Sequence, residues 1–356
     1  MPQALSFKSE TLIASRGRVM LRAAGPSDLL LAYQWFAHSD LTRELMGPPL
    51  YPDRPVVDLD QFRGAHPPHI FSAITPFEAR GWVIAAGGDE VGFLRHGRVD
   101  LLRDVVELDV WLAARRYCGH GYGSEALGLA CEMLQAECGV NRFVLRPSLR
   151  NVHALRAMRR AGFRELGLDA RQVAAKLALR ASDYVDEVLL FRVLPLPPAH
   201  LARDPARRYV YIDSEFTSLE QPRLISLGAI DDRGRTFYRE VDGWDESSCS
   251  AFVRDMVLPL LDGRSAPRAQ AAVDFVAWLQ EVAAGAPVTL VSDSGFDRWA
   301  VAELLHRPDL PQDVLWQRVP IAYAELDRFA VQLGLRRHHA LDDAMALRDA
   351  IQRPEA

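Results

Sequence analysis

Three prolines within four residues, in Leu194-Pro-Leu-Pro-Pro-Ala-His200, interrupt a chain whose flanking segments are patterned for regular structure. Proline has no N–H to donate and a fixed φ, so neither a helix nor a central strand can run through such a segment. The apolar, strand-like run from Tyr184 to Val193 must end there, and a charged segment follows. With 356 residues, 49% of them apolar, each side is long enough to bury a core of its own. The reading is an α/β protein of two domains, residues 1–194 and 208–356, joined by a proline-rich linker at 195–207. No internal repeat is visible. The other proline-rich stretch, Gly47 to Pro68, reads as a long loop inside the first domain, because too little chain precedes it to fold alone.

No stretch approaches the roughly 20 uninterrupted apolar residues of a membrane span, and the opening residues lack the basic and apolar regions of a secretory signal. A cytoplasmic location with no membrane partner is therefore expected. The four cysteines, Cys118, Cys131, Cys138 and Cys249, form no C-x-x-C pair, which leaves neither a zinc site nor a disulfide framework. Cys118 alone lies beside a motif and reads as a small apolar residue. From His200 onward there are 18 arginines and no lysine against 25 acidic residues. So acidic a half lacks the broad basic face that grips long duplex nucleic acid, and short or single strands suit it better. Its local positive charge lies at Arg203, Arg207 and Arg208, and at Arg336 and Arg337.

The acidic residues of this half fall into a pattern. Arg208-Tyr-Val-Tyr-Ile-Asp213-Ser-Glu215-Phe begins as an apolar strand, so the two carboxylates, two residues apart, leave it on one face. Phe296-Asp297 follows, and then His338-His-Ala-Leu-Asp-Asp343. Carboxylates gathered in a cleft repel one another unless a cation neutralises them, and Mg²⁺ or Mn²⁺ takes oxygen ligands. Two such ions about 3.5–4 Å apart hydrolyse phosphodiesters, one activating water and the other stabilising the leaving oxygen. Asp213, Glu215, Asp297 and Asp343 are the candidate ligands. His338, between the Gly334–Arg337 loop and the helical pattern of Ala340, Leu341, Ala344 and Leu347, is the candidate general base.

D-x-E, F-D and H-x-A-x-x-D in this order over residues 208–352 resemble the DEDDh 3′–5′ exonucleases of the ribonuclease H-like superfamily, which includes small bacterial exoribonucleases. The resemblance implies a two-metal exonuclease on that fold. Within its register Asp342 is one residue out of place, and Asp293, four before Asp297 where relatives usually carry an amide, stands aside from the ligand set.

In the first half, Arg116-Tyr-Cys-Gly119-His-Gly121-Tyr-Gly123-Ser124 lies between an alternating strand, Val106 to Leu112, and an amphipathic helix from Ala126 to Glu137. Such a turn brings backbone N–H groups and the positive end of a helix dipole onto a phosphate. The lysine of a P-loop and the acidic residue of a dinucleotide fold are both missing. R-x-x-G-x-G, a strand from Asn141 to Leu145, Asn151-x-x-Ala154 and Gly162-Phe163 together resemble the GCN5-related N-acetyltransferases over residues 18–193. That family has a mixed sheet flanked by helices. Asp109 and the Pro147-Ser148…Asn151 turn point toward its aminoglycoside 6′-N-acetyltransferase or ribosomal-protein acetyltransferase branches. The resemblance assigns Arg116, Gly119, Gly121, Gly123, Ser124 and Asn151 to acetyl-CoA, and Asp109 to the acceptor amine as base or electrostatic anchor. Glu107 and Asp109 share a strand face with Trp111, which an exposed polar face would also explain. Many members place a tyrosine acid seven residues after the asparagine, where this chain has Met158.

Taken together, the expectation is a bifunctional enzyme. Acetyl-CoA-dependent transfer to an amine, on a small molecule or a protein N-terminus, is joined to two-metal exonucleolytic hydrolysis of short or single-stranded RNA or DNA, RNA favoured. The alternatives are an exonuclease regulated by a CoA-sensing module and an acetyltransferase carrying a nucleic-acid-binding adaptor.

Overall fold

A computed structural model of the chain describes residues 13–45, 56–71, 77–165, 173, 175, 177, 179, 186–196, 201, 203–305 and 314–352. The chain divides into two compact units, Met1–Pro195 and Leu196–Ala356. Pro197, Pro198 and His200 of the seam, and Tyr184 of the strand run before it, lie outside the described residues.

The first unit is built on an eight-stranded sheet. Its strands are β1 (Ile13–Arg16), β2 (Val19–Ala23), β3 (Arg80–Ala86), β4 (Asp89–His96), β5 (Val105–Leu112), β6 (Arg142–Leu145), β7 (Arg164–Glu165) and β8 (Leu190–Val193), in the order β1-β2-β3-β4-β5-β6-β8-β7. All neighbours are antiparallel except β5 and β6, which run parallel and pair only from Val105 to Glu107. Beyond Glu107 the two strands part, and the rest of β5 keeps only β4 as a ladder partner. The described helices are α1 (Asp28–Ala37), α2 (Thr42–Leu45), α3 (Leu59–Ala65), α4 (Tyr122–Cys138) and α5 (Val152–Arg160). α3 falls inside the segment read as a loop. Asp58 and Gln61 close a reciprocal capping box there, satisfying two N–H groups at the helix start. α4 buries Leu127, Ala130, Cys131 and Leu134 and ends at Gly139 in the left-handed conformation.

The second unit carries a six-stranded sheet of β9 (Arg208–Phe216), β10 (Leu224–Asp231), β11 (Thr236–Val241), β12 (Ser265–Ala266), β13 (Val288–Ser292) and β14 (Val314–Arg318), in the order β12-β11-β10-β9-β13-β14. β10 is antiparallel to β9 and β11, while β13 is parallel to β9 and β14. Helices α6 (Arg268–Ala283), α7 (Gly295–Leu305), α8 (Tyr323–Leu333) and α9 (Ala340–Gln352) complete it. β9 is central and covered on both faces, which is why its apolar run is continuous rather than alternating. Val210 and Ile212 join a core with Phe275 and Leu279 of α6 and Ala300 of α7. Tyr209 and Tyr211 join the opposite core with Phe329 of α8 and Leu347 of α9.

Part of the segment expected as a linker belongs to this unit. Leu201 packs against the second of those cores. Arg203 bonds Tyr211 and Asp232, and Arg207 bonds Thr289 and the carbonyl of Val288.

Candidate functional sites

In the first unit a cavity of about 460 Å³ is lined by Val110, Trp111 and Leu112 of β5, beyond that strand's pairing with β6, and closed by the start of α4 and one face of α5. Gly119 and Gly121 have φ of +82° and +88°, a region that glycine enters without the steric penalty of a Cβ. Gly121 is the N-cap of α4 and supplies no capping side chain, so the first N–H groups of this 17-residue helix have no side-chain acceptor there. A Cβ on Gly119 or Gly123 would meet nothing within 4 Å, which leaves the turn open to a ligand. The result is an anion seat made of backbone.

Other residues assigned to the cofactor are placed differently. Arg116 lays its guanidinium on the Tyr117 ring and bonds the phenol oxygen at 3.0 Å. Its neighbour Arg115 lines the cavity instead and pairs with Glu44. Ser124 lines the cavity but donates its hydroxyl to the Ala157 carbonyl at 2.8 Å, tying α4 to α5. Asn151 is the N-cap of α5: its Oδ1 accepts from the Ala154 N–H at 3.0 Å, and its Nδ2 donates to the Glu44 carbonyl at 3.1 Å. Both residues border the cavity while their polar atoms hold its walls together.

Asp109 does not line the cavity. It accepts from Nε and Nη2 of Arg95 at 2.8 and 2.6 Å, so a basic side chain already neutralises it. The strand face it shares with Glu107 and Trp111 is not an open polar surface either. Trp111 is packed in the core beside Phe93 and Phe36, and Glu107 bonds Arg146. Met158 does line the cavity, and its thioether offers no acidic proton there. Burial raises the pKa of the Cys118 thiol, which keeps it protonated at neutral pH.

Arg156 and Arg160, outside the set assigned to the cofactor, stand one turn apart on α5 and both on the cavity wall. Their i, i+4 spacing was the available signal.

In the second unit the carboxylates meet at the carboxyl ends of the parallel strands β9 and β13. Tyr209, Tyr211, Asp213 and Glu215 alternate onto one face of β9, the side covered by α8 and α9. α9 brings Asp343 there, and its seating depends on Gly228, the residue of β10 paired with Asp213. A Cβ on Gly228 would lie 2.2 Å from the Leu341 nitrogen and 2.3 Å from the Ala340 carbonyl carbon, so the first turn of α9 rests on bare strand backbone. Asp343 then accepts from the His338 N–H at 3.0 Å and pairs with Arg337. His338 holds a φ of +66°, unusual for a residue with a Cβ, in a turn that the Asp343 carboxylate closes.

One ligand-capable atom each of Glu215, His338 and Asp343 lies within 4.8 Å of the others, and the same holds for Asp213, Asp293 and Asp297. All four expected ligands and the expected base are therefore gathered. Asp293, which the motif register set aside, joins them. The β13–β9 register pairs Val291 with Tyr211, so two residues further on Asp293 stands level with Asp213.

Asp342 is elsewhere, bonded to Arg336 at 2.8 Å. His339 is 1% exposed and stacked on Tyr238. Arg336 and Arg337, candidates for a free phosphate-binding pair, are engaged by Asp262 and Asp342 and by Asp327 and Asp343 respectively.

Burial, and after it the neighbouring carboxylates, push Asp213 and Asp297 well above the ordinary carboxylate range, and push Glu215 up to about 8. Burial lowers His338, which is neutral at pH 7 and able to accept a proton. Its Nε2 lies 3.1 Å from the Tyr323 hydroxyl, and its ring meets Phe252 edge-on. The donor set is all oxygen apart from one imidazole, which fits hard divalent cations. One Asp297 oxygen is held by Ser214 at 2.8 Å, and the other is buried without a hydrogen-bond partner.

Residues 18–164 match the sequence model of the acetyltransferase (GNAT) domain family. No curated protein matches the chain. Among solved structures, an aminoglycoside acetyltransferase AAC(6′)-Ib in complex with paromomycin and acetyl-CoA is 18% identical, with 50% of this chain aligned to 94% of that one at a TM-score of 0.38. RimL, a ribosomal L7/L12 α-N-protein acetyltransferase in complex with coenzyme A, is 19% identical, with 52% of this chain aligned to 98% of that one at a TM-score of 0.41. A GNAT-family acetyltransferase from Bacillus anthracis is 14% identical, with 51% aligned to 98% at 0.38. No described helix is long and apolar enough to cross a membrane. The family match covers the strands and helices that build the cavity, and the N-terminal unit of this chain carries an acetyltransferase (GNAT) domain.

Proposed function

We propose that the chain combines two activities: acetyl transfer from acetyl-CoA to a primary amine in the first unit, and metal-dependent 3′–5′ trimming of short or single-stranded nucleic acid in the second. For the first, the carrying observation is the cavity beside the unpaired end of β5, set against the uncapped start of α4. Backbone N–H groups there suit a pyrophosphate, and Arg156 and Arg160 add charge for phosphate oxygens. The amine nitrogen attacks the thioester carbonyl carbon, the C–S bond breaks, and the amine loses a proton. With Met158 where an acid would stand and Asp109 held by Arg95, proximity carries most of the rate, and water or the Tyr117 or Tyr122 phenol on the cavity wall protonates the sulfur.

For the second, the carrying observation is the convergence of five carboxylates and His338 at the strand ends. The strand order places β13 parallel to β9 and next to it, with β10 antiparallel on the other side, which brings the Asp213 and Asp293 strand ends together and supports the same reading. Asp213, Glu215, Asp297 and Asp343 would hold two divalent cations, which supply charge neutralisation at the scissile phosphate and a water of lowered pKa. Neutral His338 accepts that water's proton. The acidic surround selects short or single strands, because a long duplex would gain little from it.

The test incubates the purified full chain with Mn²⁺ and 5′-labelled short RNA and DNA oligomers, and separately with acetyl-CoA and a panel of primary amines while following thiol release. Shortening of the oligomers from the 3′ end together with amine-dependent thiol release is expected. Absence of either overturns that half of the proposal. The weak acid–base equipment of the cavity favours one second reading, in which the first unit senses CoA and regulates the nuclease. Trimming that responds to acetyl-CoA without thiol release would establish it.

A further inference from the structure

The carboxylates of the second unit are divided by the structure into two triads of unequal electrostatic character. Glu215 and Asp343 share theirs with the His338 imidazole, and Arg337 pairs with Asp343. Asp213, Asp293 and Asp297 form the other; Arg318 donates its Nε to the Asp293 carbonyl at 3.0 Å and its charge acts on the Asp293 carboxylate, while no salt bridge among the described residues reaches Asp213 or Asp297. Asp297 is 2% exposed. Ser214 fixes one of its oxygens and leaves the other buried with no donor, beside the carboxylates of Asp213 and Asp293. A buried carboxylate oxygen that no N–H or O–H reaches is costly unless an ion meets it.

We propose that Asp293, with Asp213 and Asp297, completes a second divalent-cation site that fills in the absence of any nucleic acid. The inference rests on the two-cation reading of this cluster and adds a ligand to it. Geometry supplies the reason. Asp293 follows the last residue of β13, level with Asp213 in the parallel register, where neighbouring strands lie about 4.8 Å apart. Asp297 approaches from the first turn of α7, so three ligands come from three separate backbone positions. Their oxygens lie within 4.8 Å of one another, so an ion among them stands at most about 2.8 Å from each, and each draws in by at most about 0.7 Å to reach the ~2.1 Å of a small divalent ion. An amide at position 293 would offer a neutral oxygen and leave the site one charge short. With three carboxylates the ion does not wait for a substrate phosphate to finish its coordination.

The experiment titrates Mn²⁺ alone into the full chain and reads free Mn²⁺ by electron paramagnetic resonance, with calorimetry for stoichiometry. Two ions per chain are expected in the wild type. Asp293→Asn should bind one, or bind the second at least 10-fold more weakly, Asp293→Glu should recover part of the loss, and Asp274→Asn on the far surface of α6 should bind two. Wild type binding a single ion, or Asp293→Asn retaining two at unchanged affinity, overturns the proposal. A wild-type far-ultraviolet circular dichroism spectrum and a cooperative thermal transition in EDTA show that Asp293→Asn is folded, because a variant that has lost an ion-binding site melts below the wild type once the ion is present. Two ions bound without oligomer trimming would leave this site standing and remove the nuclease reading, whereas trimming with one ion bound would do the reverse.

Discussion

Gly228→Ala is the sharpest test of how the second unit assembles its site. The added Cβ would lie 2.2 Å from the Leu341 nitrogen and 2.4 Å from the Ala340 carbonyl oxygen, against the ~3.5 Å or more of an ordinary contact. Both atoms are backbone, so no side chain can rotate away. The first turn of α9 must withdraw from β10 by roughly 1 Å, or β10 must bend. Overpacking of this kind costs about 1–3 kcal/mol. For a unit of this size that lowers the melting temperature by roughly 3–10 °C. Catalysis should suffer more than stability, because Asp343 and His338 travel with α9 while Asp213 and Glu215 stay on β9. A misplacement near 1 Å costs on the order of 10²-fold in rate. Differential scanning calorimetry of the full chain should show one transition moved, and trimming in Mn²⁺ should fall by that factor while Mn²⁺ affinity also weakens. Wild-type melting together with a wild-type rate would refute the contact and with it the account of how Asp343 reaches the cluster.

Three further outcomes are expected. The raised Asp213, Glu215 and Asp297 keep protons in the folded state that the unfolded chain sheds near pH 4, so without metal their contribution to stability is present below that pH and is lost as pH rises through their raised folded-state values, about 8 for Glu215. Denaturant unfolding at pH 5 and pH 8 should show that fall, Mn²⁺ should reverse it at pH 8, and Asp213→Asn should flatten it. His338→Ala should cut trimming by about 10²–10⁴-fold with the fold intact, whereas His339→Ala, which empties a buried position stacked on Tyr238, should instead lower the melting temperature; equal kinetic losses from a stable His339→Ala would contradict the assignment. Gly121→Asp places a Cβ at a backbone position with φ of +88° and a carboxylate beside the Arg18–Glu125 ion pair at the N-cap of α4, and calorimetry should find acetyl-CoA binding lost while trimming continues at the wild-type rate.

Much of this was legible in the residues because it depends on local rules. The glycine turn before α4, the alternation that puts Asp213 and Glu215 on one face, and the helical spacing that carries Asp343 all follow from the dihedral and periodicity constraints of short segments. The two units divide at Pro195, inside the proline-rich segment. What needed the tertiary structure was everything set by register and by partners distant in sequence. Asp293 belongs with Asp213 only because β13 pairs with β9 in one particular register, which no pattern within either strand encodes. The family resemblance assigns Asn151 and Ser124 to the cofactor, yet Ala154, Glu44 and Ala157 take up their hydrogen bonds. Asp109 looks like an open acceptor residue until Arg95, on the neighbouring strand, is seen to neutralise it. Arg115 rather than Arg116 faces the cavity because a short turn decides which of two adjacent side chains points inward. Sequence fixes what each residue can offer chemically, and long-range pairing decides which of those offers another part of the chain has already accepted.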